Sequence, residues 1–439
     1  MKNWSNQYAP EVSRPLAWFY RYLHWVVYHS TQHYFEEVTV LHPEYLQYEG
    51  PAIIVANHPN TLMDPMVIGG RVPKLLFFLA NAGLWRSRIG AWFFGTFYCI
   101  PVARRKDRDV KGINNDDSFA AAVRHLERGG SIYVAPEGTS ELERRIRPVK
   151  TGTARLVLQA LRENEYDFPL SIIPVGLTYS APTRFRSKVW MHVGPPIRPR
   201  VAQADTEAGP DGIIRELTQV IQQQLEDLTL VTADEAQDRL LEKLETVLRH
   251  AQPLRPADEW YRSRDLLKSL QALPDTRYRE MAEVADQYTT ALQSAGLTDR
   301  IFSRAYRPSV LGLPIFLFGW VNNILPAALT ELTAQRIVAD PTYRSSARWF
   351  GALVIFPILY TLQAVAVQWV FGRWWITLLY LLLLIPTGLF AHRYGRRLGV
   401  LWERSRYRRL DADRKAALQN LREKLLSQIS PLLPQVTSE

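Results

Sequence analysis

A chain of 439 residues is long enough for two or three domains, and its single cysteine, Cys99, excludes an internal disulfide. A formal charge of +10 calls for an anionic partner, either nucleic acid or a charged membrane surface. Hydrophobic residues make up 47% of the chain, an ordinary share that hides a strong asymmetry, because they crowd into 309–391 while 199–308 is polar and charged. Arginines gather just after that apolar stretch, at Arg393, Arg396, Arg397, Arg404, Arg406, Arg408 and Arg409. That placement favours a lipid bilayer as the partner and argues against nucleic acid. No signal peptide is expected, since the N-terminus lacks an early apolar core and a small-residue cleavage site.

Taken in order, residues 14–35 are dense in Trp, Tyr and Phe with scattered basic residues and histidines. They read as an amphipathic helix at a membrane interface, or as a surface helix packed on its own domain; 1–44 is assigned to this element. From 51 to about 197 strands and helices alternate. Candidate strands are 52–57, 74–80, 97–102, 131–135, 170–179 and 188–193, with helices at 83–94, 117–129 and 151–163 between them. The alternation predicts an α/β domain over 45–200 with a mostly parallel sheet flanked by helices. In such sheets ligands collect at the carboxyl ends of the strands, and His58, Arg104 and Glu137 each fall just past one.

Helical periodicity then occupies 208–229, 233–250, 258–272 and 275–293, so 201–308 reads as a helical appendage. Residues 349–370 are uncharged for 22 residues and 374–391 for 18. Each is long enough to cross a hydrocarbon core of about 30 Å, and a three-residue link predicts a transmembrane hairpin over 349–391. Basic residues on both sides put both ends in the cytoplasm. Residues 309–335 are apolar but carry Pro314, Asn322, Asn323 and Pro326. A third crossing would export the basic loop 336–348, so this stretch is expected to be re-entrant or interfacial. The basic tail, 392–439, returns to a helical pattern.

The chemistry centres on the strand 52–57. It delivers Asn57 and His58 to its end, with the carboxylate of Asp64 close behind. A histidine titrates near neutral pH and, oriented by an acid, is a good general base. Cys99, inside an apolar strand, reads as a buried small hydrophobe rather than a nucleophile. No Gly-x-Ser-x-Gly elbow, phosphate-cradling Gly-Lys-Ser/Thr loop or Cys/His metal spacing occurs, so neither metal nor cofactor is expected.

Four blocks follow one another in this domain: Asn57-His58 with Asp64; 95–104 (GTFYCIPVAR); 135–139 (APEGT); and 172–176 (IIPVG). In that order they resemble the glycerolipid acyltransferase superfamily of glycerol-3-phosphate and 1-acylglycerol-3-phosphate acyltransferases. The hydrophobic hairpin is more similar to the fungal-type glycerol-3-phosphate and dihydroxyacetone-phosphate enzymes. The resemblance implies transfer of a fatty acyl group from acyl-CoA or acyl carrier protein to a hydroxyl of glycerol 3-phosphate or 1-acylglycerol 3-phosphate. It implies His58 as general base, Asp64 as its orienting acid and Arg104 as a phosphate ligand. It also implies Glu137, Gly138, Thr139, Lys150 and Pro174 around the substrate. Two alternatives stand beside it, a lysophospholipid acceptor without the phosphate requirement and a lipid-binding membrane protein without catalysis.

Two departures matter. The family usually spaces His and Asp by four residues, whereas five intervene here. On one helix the extra residue would turn the acid by about 100°. The pair Asp64-Pro65 instead predicts a helix starting at Asp64, with the extra residue absorbed in a loop. The other departure is Ser140, where the family motif carries a phosphate-binding arginine. Arg144, Arg145, Arg147 and Lys150 follow closely and are candidates to replace it.

Overall fold

The computed structural model describes residues 14–85, 99–103, 115–203, 209–304 and 309–433, together with 88, 92 and 94. The chain divides into two compact units, Met1–Val231 and Thr232–Glu439.

In the first unit, helix α1 (Arg14–Tyr34) leads into β1 (Glu37–Leu41), β2 (Ala52–Ala56), α2 (Met63–Gly69), β3 (Leu76–Asn81) and β4 (Cys99–Val102). Then come α3 (Asn115–Glu127), β5 (Ser131–Val134), α4 (Gly152–Glu163), β6 (Ser171–Tyr179), β7 (Lys188–Val193) and α5 (Pro210–Asp227). The sheet order is β1-β7-β6-β2-β5-β3-β4. Every neighbouring pair is parallel except β6 and β7. The expected α/β domain with a mostly parallel sheet is present.

Strands covered on both faces must be apolar along their whole length. β2 (AIIVA) and β5 (SIYV) are buried at every residue. On one face Leu156, Val157 and Leu161 of α4 and Ala122, Val123 and Leu126 of α3 pack on Ile53, Ile132 and Ile172. Ile221 and Leu225 of α5 join the same core. Burying each contributes roughly 1.5–3 kcal/mol, enough to fix this helix to the sheet. Assignment of 208–229 to a separate appendage is therefore corrected: α5 completes the first unit. The edge strand β1 also escaped the sequence reading of 1–44. Its alternation, Glu37-Val38-Thr39-Val40, lasts only four residues of a five-residue strand and directly follows the aromatic helix assigned to 14–35. Half of the expected helix 83–94 lies outside the described residues.

The second unit is helical. Helices α6 (Glu235–Ala251), α7 (Pro256–Gln271) and α8 (Asp275–Ser294) precede α9 (Leu313–Ile337), α10 (Arg344–Phe371), α11 (Trp374–Arg408) and α12 (Ala412–Ile429). Asp299 ties α6, α8 and α12 together. It accepts from His250 Nδ1 at 2.8 Å, from Arg422 Nε at 3.0 Å and from the Tyr288 hydroxyl. Burial works to raise its pKa, but those donors outweigh burial and hold the carboxyl below its usual range.

Among the described residues, three helices, spanning Val310–Ile337, Pro341–Phe371 and Trp374–Arg408, are long and apolar enough to cross a membrane. The stretch 309–335, expected to be re-entrant or interfacial, contains one unbroken helix, which excludes a reversal inside it. Pro326 interrupts no turn because its lost partner, the Asn322 carbonyl, accepts from Gln363 Nε2 of α10 at 3.0 Å. Along α9, Glu331, Asn323 and Asn322 meet Arg348, Tyr360 and Gln363 of α10 in opposed order. Asn323, Gly319 and Gly312 meet Leu384, Thr387 and Tyr394 of α11, again in opposed order. Helices α10 and α11 are themselves antiparallel, joined at Gln368–Thr377 and Gln363–Tyr380. Three staves on one axis cannot all be antiparallel in pairs. Helix α9 therefore crosses the α10–α11 pair obliquely, meeting α10 along 322–331 and α11 along 312–323.

Candidate active site

β2 lies between β5 and β6, and the carboxyl ends of all three open on one edge of the sheet. His58 follows β2 by two residues, Glu137 follows β5 by three, and Tyr179 is the last residue of β6. This is where a parallel sheet gathers ligands.

Asn57 fixes the strand end. Its amide donates to the Leu177 carbonyl at 2.9 Å and accepts from the Leu177 N–H at 2.7 Å. His58 then projects beyond the sheet, with its side chain 21% exposed, while Asp64 is fully buried. His58 Nδ1 stands 2.9 Å from Asp64 Oδ2. The same oxygen accepts the Asn60 N–H at 2.8 Å, and Oδ1 accepts the Tyr179 hydroxyl at 2.7 Å. A carboxylate facing Nδ1 keeps the imidazole proton there and leaves Nε2 as the basic nitrogen.

The spacing departure is absorbed as a loop absorbs it. Helix α2 begins at Met63 after Leu62, so Asp64 lies inside its first turn; the expected N-cap role of Asp64 is corrected. Between His58 and α2 the chain turns through Thr61, whose φ of 40° is the left-handed conformation. Strain of that kind persists only where the surroundings enforce it. Here the Thr61 N–H donates to Ser140 Oγ at 2.9 Å. The two departures from the family pattern thus meet in one hydrogen bond. Ser140 holds the loop that the extra residue creates.

Glu137 is buried, and both its oxygens are engaged by main chain. Oε1 accepts the His58 N–H at 2.8 Å and Oε2 the Arg147 N–H at 2.7 Å. Burial raises its pKa, against the pull of those two bonds. Glutamine offers only one acceptor oxygen, so Glu137→Gln leaves one of two amides unsatisfied. Equilibrium unfolding of that variant is expected to show a loss of about 1–3 kcal/mol.

The remaining sequence candidates are distributed around this edge. Gly138 has φ of 67°, and a Cβ there would stand 2.5 Å from Lys150 Nζ. Thr139 and Lys150 are exposed. Pro174 is buried within β6 opposite Val55, one residue short of the end of β2. Arg104 lies outside the described residues. Arg145 pairs with Glu143, and Arg147 with Glu141. A cleft beside Asn57 and Pro59 is walled by Arg144, Arg145, Thr178 and Pro182. Burial pushes the Cys99 thiol up to about 12, which leaves it protonated near neutral pH and a poor nucleophile. Among the described residues, no three His, Cys, Asp or Glu side chains gather as metal ligands would.

Sequence reasoning missed Tyr179 and the Asn60 amide. A tyrosine closing an apolar strand looks like any core aromatic, and a main-chain donor has no sequence signature. Tyr133 is the other surprise, because its buried hydroxyl has no hydrogen-bond partner among the described residues. Burial first, then Asp64 and Glu137, push its pKa well above the usual range.

Residues 37–178 match the model of the Acyltransferase family. Glycerol-3-phosphate O-acyltransferase 1 of Saccharomyces cerevisiae is 22% identical, over 48% of this chain and 39% of that one. Glycerol-3-phosphate O-acyltransferase 2 of the same yeast is 31% identical, over 19% of this chain and 11% of its own. An uncharacterised acyltransferase of Schizosaccharomyces pombe is 35% identical, over 17% and 11%. The chain thus spans about two fifths of the length of the first of these relatives and about a tenth of the others. The crystal structure of a 1-acyl-sn-glycerophosphate acyltransferase from Thermotoga maritima aligns with a TM-score of 0.32 at 18% identity, over 46% of this chain and 80% of that one. The match to the Acyltransferase family model thus lies in the sheet-bearing part of the chain, from β1 into β6.

Proposed function

We propose that the protein is a membrane-bound O-acyltransferase of phospholipid synthesis. It moves a fatty acyl group from acyl-CoA, or acyl carrier protein, to a hydroxyl of glycerol 3-phosphate or 1-acylglycerol 3-phosphate. One observation carries the reading: the 2.9 Å bond between His58 Nδ1 and the Asp64 carboxylate at the strand-end edge of the family domain. The names of the Saccharomyces relatives favour glycerol 3-phosphate as the acceptor.

In this mechanism the acceptor hydroxyl attacks the thioester carbonyl while His58 Nε2 takes its proton. Asp64 stabilises the imidazolium that results. The tetrahedral intermediate then collapses, the carbon–sulfur bond breaks, and the imidazolium returns its proton to the leaving thiolate. The logic is that of a catalytic triad without an enzyme nucleophile, and base assistance of this kind supplies about 10²–10⁴-fold. Glu137 holds the His58 main chain in place. Arg104 meets the acceptor phosphate, for which a planar guanidinium is well shaped. Gly138, Thr139 and Lys150 border the acceptor, and Pro174 shapes the pocket from within the sheet.

The bilayer is met in two places. Trp18, Tyr22 and Trp25 are more than half exposed along α1, an amphipathic surface suited to the headgroup region. Helices α10 and α11 cross as a hairpin while α9 lies at the interface against them. The active site and both termini are then cytoplasmic, and Arg336, Arg344 and Arg348 stay on the side that the positive-inside rule favours.

A second reading, a lysophospholipid acceptor, draws on Ser140. It stands where the family motif has arginine, and Arg145 and Arg147 are already paired with glutamates. Incubating membranes that hold the full chain with labelled acyl-CoA and a panel of acceptors tests both. Labelled product is expected with glycerol 3-phosphate or its monoacylated form. Product with lysophospholipids alone selects the second reading, and none with any acceptor leaves a lipid-binding protein.

A further inference from the structure

We infer that Tyr179 is a positioning residue for the proposed transfer: its hydroxyl locks the Asp64 carboxylate in the one orientation that presents His58 Nε2 to the acceptor. The inference rests on the reading of His58 as a base.

A carboxylate can turn about its last bond, and a turned carboxylate no longer meets the imidazole. Three donors prevent that turn here. His58 Nδ1 and the Asn60 N–H converge on Oδ2, and Tyr179 closes Oδ1 from the opposite side at 2.7 Å. The first is the partner to be oriented, and the second belongs to a loop bent through the left-handed Thr61. Tyr179 alone comes from the sheet. Its main chain is held by pairing with Val189 of β7, and its ring packs against Phe35 with centroids 5.8 Å apart. The hydroxyl is therefore anchored to the most rigid part of the domain. A group fixed by packing and a second partner is what keeps a catalytic pair in register.

The hydroxyl also keeps its proton. Burial, followed by the nearby Asp64 charge and the bond to it, sets the Tyr179 pKa well above the usual range, with Tyr133 adding to the effect and Arg71 opposing it. It stays a donor throughout the working pH range. Among the described residues, the titratable groups facing Asp64 are thus His58, Tyr179, Tyr133 and Glu137, with Arg71 behind Tyr179. Because Asp64 is closed to bulk water, no solvent molecule from outside readily replaces a lost donor.

Removing the donor frees the carboxylate to turn, so fewer molecules hold His58 in the productive pose. That lowers turnover without touching the acceptor, a consequence that a merely structural tyrosine would not produce.

The test uses the full chain in membranes with labelled acyl-CoA and glycerol 3-phosphate, comparing wild type, Tyr179→Phe and His58→Ala. Phenylalanine keeps the ring and its packing. The expected result for Tyr179→Phe is a fall in kcat of about tenfold, part of the roughly 10²–10⁴-fold that base assistance supplies. The acceptor KM and the thermal midpoint should stay unchanged. An unchanged kcat, with His58→Ala inactive, overturns the inference and leaves the base intact. A fall in kcat that comes with a raised acceptor KM, or with a collapsed thermal midpoint, marks a structural role and also overturns it. Activity in His58→Ala removes the base reading on which the inference stands.

Discussion

His58→Ala is expected to lose acyl transfer by about 10²–10⁴-fold while membrane insertion and thermal stability stay near wild type. An alcohol is a weak nucleophile until its proton leaves, and among the described residues no other side chain at this edge is placed to take it. Glu137 has both oxygens committed to amides, and Tyr133 and Tyr179 are held protonated by burial. The imidazole is partly exposed and its packing role is small, so deletion should not unfold the domain. Parallel measurements of turnover and thermal midpoint separate the two effects. A full loss of midpoint together with activity would mean that His58 is a structural residue.

Asp64→Asn should come second, with kcat falling by roughly 10²–10⁴-fold at little change in acceptor KM. The amide is nearly the same size. Its oxygen can stand where Oδ2 stands, receiving His58 and Asn60, while its NH₂ faces the Tyr179 hydroxyl, which can rotate to accept. Geometry survives, and the negative charge that stabilises the imidazolium does not. A variant with raised KM and unchanged kcat would place Asp64 in acceptor binding instead. Because Asp64 is buried, its thermal midpoint belongs beside the kinetics. Loss of a buried charge partly surrounded by donors makes a moderate destabilisation compatible with this account, and complete unfolding incompatible.

The sheet was readable because its strands announce themselves. Runs such as IIVA at 53–56 and the nine buried residues of β6 have no exposed face to interrupt them. The edge strand β1 has that interruption and was missed. Helix α5 carries the same period as the helices after it, and only the docking of Ile221 and Leu225 shows that it belongs with the sheet. Periodicity reports that a helix has an apolar face and is silent on what the face meets.

At the site, residues identified by chemistry came together and residues identified by motif did so unevenly. His58 and Asp64 meet although their spacing departs from the family pattern, because the turn at Thr61 and the hydroxyl of Ser140 take up the extra residue. Glu137 reaches His58, but through a backbone amide rather than toward open space. Pro174 stays inside the sheet. What no pattern could signal were the long-range partners: Tyr179 lies 115 positions from Asp64. The oblique path of α9 was equally hidden. Its direction depends on which carbonyl Pro326 frees and on Gln363 being opposite to take it.

The measurement that tests the central claim most directly is transfer of label from acyl-CoA to glycerol 3-phosphate by the full chain in membranes, beside His58→Ala prepared identically. The account predicts labelled acylglycerol phosphate from the wild-type protein and none above background from the variant. Equal product from both would contradict it, as would the absence of product from wild type with every phosphorylated acceptor.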